Sequence, residues 1–122
     1  MVKLYNVEPL SEYEENTLLP IMVECLNRHV GKENAVNNSY MCSRLKQFGY
    51  KANPVMVRKI INRIRVNDEI DCLIASSSGY YISDDPVEVQ GYIESLKDRE
   101  GAIRAMRNAL ERQLEKMPAK NS

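Results

Sequence analysis

Between residues 54 and 66 the chain reads PVMVRKIINRIRV, which sets four cations and one amide among isoleucines and valines at helical spacing. On a wheel advancing about 100° per residue, Ile60, Ile61 and Ile64 fall within about 60° of Val57 and form one apolar stripe. The opposite side presents Val55, Lys59, Asn62 and Val66, with Arg58 and Arg63 on its flanks and Arg65 nearer the core edge. A helix that enters the DNA major groove needs this division, one side anchored and the other free to meet base edges and phosphates. The Asn62 amide matches an adenine edge, and Arg58, Lys59 and Arg63 suit guanine or phosphate oxygens. Lys51 in the preceding segment and Asn53 at the helix start extend the candidate DNA-binding surface, as do Ser77 and Ser78 further along the chain. The alternative is an amphipathic surface helix whose polar side is basic. Against it, the stretch contains no acid, so none of its cations has an intrahelical partner.

Net charge sharpens this reading. The whole chain sums to zero. From Arg28 to Val66, however, nine Lys or Arg stand against Glu33 alone, a net +8, with −4 on either side. A basic middle in a neutral chain predicts one positively charged face and a polyanionic partner, double-stranded DNA before others.

Other chemistries find little support. The five glycines are scattered and make no phosphate-cradling loop, and His29, the single histidine, has no Ser or Cys motif beside it. Cys25, Cys42 and Cys72 form no Cys-x-x-Cys pair, so neither a metal site nor a disulfide framework is predicted. Each has apolar neighbours and is expected to be a small buried hydrophobe. Glu14-Glu15 and Asp84-Asp85 are acid pairs in first-turn helix positions, where the dipole accounts for them. No catalytic residue, cofactor or small-molecule ligand is predicted. Tyr80 and Tyr81 alternate in direction along a strand, which predicts that one packs inward rather than that the pair stacks on bases.

The elements that must position these groups follow from local signals. Ser11 with Glu14 reads as a capping box opening a first helix. Leu19, Met22, Val23, Leu26 and Val30 face its core, and Gly31 closes it. Pro20 predicts a kink or a restart near Thr17. Glu33 to Val36 is assigned an isolated extended strand. Asn38 or Ser39 caps a second helix with Met41, Leu45 and Phe48 on one face, ended by Gly49. Asn53-Pro54 then supplies an N-cap and a proline at the first helical position of the third. Ile70 to Ala75 and Tyr80 to Ser83 form a hairpin around Ser76 to Gly79. Asp84-Asp85-Pro86 opens a last helix reaching about Lys116, roughly 46 Å at 1.5 Å per residue. The expected fold is mainly α with a small β hairpin: a winged helix-turn-helix over 1–84, a long C-terminal helix over 85–117 and a flexible tail over 118–122.

The segment LKQFGYKANPVMVRKIINRIRVN, followed by SSGYYISDDPVEVQGYIESLKDREGAI, resembles a group of small winged-helix proteins of bacteriophages and prophages. The resemblance rests on the Gly79-Tyr80-Tyr81 strand and on Tyr92, Ile93, Ser95, Leu96 and Arg99 in the long helix. It covers about Leu10 to Leu114 and implies DNA binding in phage gene control or replication. A winged-helix module acting on a host or replication protein is the alternative.

The long helix carries a second pattern. Ile93, Leu96, Glu100, Ile103, Arg107, Leu110 and Leu114 alternate steps of three and four, the seam of a two-stranded pairing between copies. Gly101, Ala105 and Ala109 are assigned to the edges of that seam. The competing expectation is that Val89, Tyr92, Ile93 and Leu96 fold back onto their own chain. No apolar run reaches the roughly 20 residues of a membrane span. The opening MVKLYNVEPLSEYEEN lacks the layout of a secretory leader, so a cytoplasmic location is expected.

Overall fold

The computed structural model describes residues 8–120; the opening residues of MVKLYNVEPLSEYEEN and the end of the expected tail lie outside them. The chain is mainly helical, with one small antiparallel hairpin and a long C-terminal helix. It divides into two compact units, Met1–Pro86 and Val87–Ser122.

The first helix begins as its sequence requires. Ser11 Oγ accepts from the Glu14 N–H (3.1 Å), and the Ser11 N–H donates to Glu14 Oε1 (2.8 Å), a reciprocal capping box. A π-helical turn, Glu14–Leu18, then runs into α1, Leu19–Leu26. Pro20 explains the widened turn. Its ring has no N–H and crowds the carbonyl four residues back, and a looser turn relieves that contact. The helix stops at Leu26 rather than at Gly31. Tight turns bond Arg28 N–H to Cys25 O and His29 N–H to Leu26 O, freeing Val30 and Gly31 to run beside the hairpin. Val30 is therefore 39% exposed instead of core. Gly31 takes φ +90°, a left-handed value that side chains resist.

The expected strand at Glu33 to Val36 is mostly a short 3₁₀ turn, Lys32–Asn34; only Val36 pairs, exchanging backbone hydrogen bonds of 2.8 and 2.9 Å with Tyr80. Asn37, one residue earlier than expected, caps α2, Asn38–Gln47, by accepting from Tyr40 N–H at 2.8 Å. Asn53 caps α3, Pro54–Val66, as its sequence predicts.

The hairpin joins β1, Leu73–Ser76, to β2, Gly79–Ile82, with Leu73 opposite Ile82. It starts later than Ile70 because Asp68 and Cys72 both adopt φ +59°, which breaks the extended run. Ile70 is still buried. Cys72 is exposed, against the expectation for all three cysteines; Cys42 is buried and Cys25 half-buried. With Val36 on its other side, β2 lies between Val36 and β1. Gly79 is required there: a Cβ would stand 2.6 Å from the Val36 carbonyl oxygen, at φ +119°.

Leu18, Met22, Leu26, Met41 and Leu45 meet Val57, Ile60, Ile61 and Ile64 in one core, and the whole α3 stripe is fully buried. Phe48 is not part of it, being 67% exposed. The order helix, helix, turn, helix, hairpin matches that expected of a winged helix-turn-helix.

The last helix, α4, spans Pro86–Glu115, and none of its residues is buried. At about 100° per residue, Gly101 and Ala105 stand about 160° round from Ile103, with Ala109 about 120° round. They do not flank the apolar seam, which corrects their assignment to its edges.

Candidate nucleic-acid interface

Three locks hold the segment that presents α3. Gly49 adopts φ +89° and lets the chain leave α2. The Tyr13 hydroxyl donates to Lys51 O at 2.8 Å, and Asn38 Nδ2 donates to Pro54 O at 3.0 Å. Asn53 Oδ1 accepts from Met56 N–H at 2.9 Å, so this carbonyl is spent on the cap rather than offered to a base. Lys51 is exposed.

Along α3 the candidate residues separate into two groups. Val55 is 56% exposed, Arg58 is exposed and Asn62 is half-buried. With Glu8 and Lys59 they line one shallow depression. Lys59, expected to face away from the core, and Arg63, expected on the flank, are both held by acids of the first helix. Lys59 Nζ lies 3.0 Å from Glu14 Oε1, their side chains 22% and 4% exposed. Arg63 Nη2 lies 2.8 Å from Glu15 Oε1, with 23% of the arginine side chain exposed. Arg63 Nε is buried with no hydrogen-bond partner among the described residues.

The cause is the neighbour, not the helix. The turn Glu14–Leu18 packs against α3 on its Lys59–Arg63 flank, so the open arc centres on Val55, Arg58 and Asn62. A wheel gives the angle of each side chain but not which element lies beside it. The available signal was the acid pair Glu14-Glu15, whose helix-dipole role concealed a second use.

Glu14 joins both jobs in one carboxylate, since the oxygen that takes the Ser11 N–H also takes Lys59. Burial pushes its pKa up, but the Ser11 N–H and hydroxyl and the Lys59 ammonium together outweigh that and hold it below the ordinary carboxylate value.

At the hairpin tip Ser77 and Ser78 are exposed. The Ser78 N–H is already donated to Ser76 Oγ at 3.1 Å, leaving fewer donors for a phosphate than the sequence suggests. Tyr81 is buried and Tyr80 half-buried against the core, so neither forms an open stacking platform.

A second surface escaped sequence reasoning. Phe48 projects beside a groove floored by Ile21, Cys25, Met41 and Leu45, and the Arg44 guanidinium lies 5.0 Å from its ring centroid. Among the described residues no group of His, Cys, Asp and Glu is placed to hold a metal ion, and no helix is long and apolar enough to cross a membrane. Compared with protein-family models, curated proteins and solved structures, the chain finds no match.

Proposed function

We propose that the chain binds double-stranded DNA, with α3 in the major groove and the hairpin beside the backbone, as a cytoplasmic regulator of the phage type. One observation carries the reading. From Asn38 to Val66 the α2–turn–α3 unit holds seven Lys or Arg and no acid, and its open arc offers Arg58 with Val55 and Asn62. Arg58 is the side chain suited to guanine or phosphate, Val55 to a thymine methyl and Asn62 to adenine. Lys51 adds a phosphate contact, and Ser77 and Ser78 a minor one. Lys59 and Arg63 make no direct contacts in this reading, because Glu14 and Glu15 hold them and offset their charge.

Titrating a labelled random duplex with the protein across salt tests this. With about two or three phosphate contacts, log K should fall against log salt with a slope near −2 to −3. Arg58→Ala should weaken binding at least about tenfold at low salt without lowering the melting temperature. Absence of binding at low salt would sink the proposal. A second reading, a protein-interaction module, is favoured by the exposed Phe48 and its groove; in that case Phe48→Ala, not Arg58→Ala, would remove the activity.

A further inference from the structure

We propose that α4 pairs with α4 of a second copy, and that the two helices run antiparallel. Leu96, Ile103 and Leu110 recur every seven residues along the helix, with Met117 just past its end, and are 42–68% exposed. Ile93 and Leu114 fill the intervening positions at 40% and 66%. A strict seven-residue repeat keeps its stripe in register with another helix under a left-handed supercoil, so the repeat itself specifies a long helical partner. From Val89 to Leu114 the stripe runs about 38 Å at 1.5 Å per residue.

The charges within the stripe select the occupant and its direction. Glu100 and Arg107 are its two polar interruptions. A parallel second copy would stack Glu100 on Glu100 and Arg107 on Arg107. An antiparallel copy centred near Ile103 sets each Glu100 beside Arg107 of the other helix, with Ile93 against Leu114. The stripe is therefore complementary to its own reverse. Among the described residues these groups are held only by exposed pairs, Arg104 to Glu100 at 3.8 Å and Arg107 to Glu111 at 3.2 Å. Such pairs are weak and exchange readily. On the far side Glu94, Asp98 and Arg112 mix both signs and suit solvent, while Lys97 and Arg104 stand at the edge of the stripe.

Sedimentation of the full chain at tens of micromolar tests association: a dimer is expected, and a monomer throughout overturns the proposal. Ile103→Asp should return the dimer to monomer, because it buries a charge at the centre of the seam; an unchanged dimer would place the interface elsewhere and overturn it equally. Direction is read from spin labels at Gln113→Cys, with Cys25 and Cys72 replaced by Ser. An antiparallel pair centred near Ile103 sets the labelled positions roughly 28 Å apart along the axis. A parallel pair holds them at about the 8–10 Å spacing of packed helices, and that result would refute the antiparallel arrangement.

Discussion

Lys59→Met separates a residue that reads DNA from one that holds the fold. The substitution keeps the length of the stem and removes the ammonium, leaving Glu14 with a carboxylate whose side chain is 4% exposed. That carboxylate keeps the Ser11 N–H at 2.8 Å but loses the cation at 3.0 Å. Breaking a fully buried ion pair costs about 3–5 kcal/mol, whereas an exposed one contributes about 0.2–1 kcal/mol. With Glu14 enclosed and Lys59 about one-fifth open, the loss should fall between these, near 2 kcal/mol. For a domain of this size that corresponds to a fall in Tm of roughly 8–16 °C at pH 7. The pH dependence supplies the second signature. Glu14 titrates below its ordinary value in the folded chain, so its contribution is complete above the unfolded value and fades as pH falls through the folded one. Melting wild type and variant side by side should show the gap at pH 7 narrowing below about pH 4, where the orphaned carboxylate takes a proton. Glu14→Gln in the Lys59→Met background should recover part of the loss, since a neutral amide costs less to bury than an unpaired charge. A drop of less than about 2 °C, unchanged between pH 7 and pH 3, would refute the reasoning and return Lys59 to the groove-facing side.

Three further outcomes follow from the packing. Ile61→Ala, at a fully buried position in α3, should cost about 2–5 kcal/mol in chemical denaturation; a loss under about 0.5 kcal/mol would mean that the stripe is not core. Gly79→Ala should destabilise by at least about 2 kcal/mol, because strain at positive φ adds to a backbone contact that cannot relax. Near-neutral melting would disprove the close approach of Val36. Gly101→Ala places its Cβ in open space on the side of α4 away from the seam. It should raise stability by about 0.5–1 kcal/mol and leave any dimer affinity unchanged, which thermal unfolding and sedimentation together check.

What the sequence determined by itself was short in range. Asn53-Pro54 fixed where α3 begins, Ser11 with Glu14 where the first helix begins, and Pro20 where that helix widens, because caps and proline act within about four residues. Val57, Ile60, Ile61 and Ile64 announced their burial through a period that any anchored helix obeys. Asp85-Pro86 marked the start of α4 in the same way. Tertiary structure decided the fate of side chains whose partners are distant in the chain. Lys59 meets a carboxylate 45 residues away and Arg63 one 48 residues away, and no local signal carries such a pairing. Phe48 had the right spacing for the core of α2, yet among the described residues no element covers it there and it stays exposed. Val30 left its helix because β2 bonds the residues on either side of it, the His29 carbonyl and the Gly31 N–H. Cys72 had apolar neighbours in sequence but came to the surface where the backbone turned to positive φ. Spacing sets the direction in which a side chain points, and only the packed chain determines what stands there to receive it.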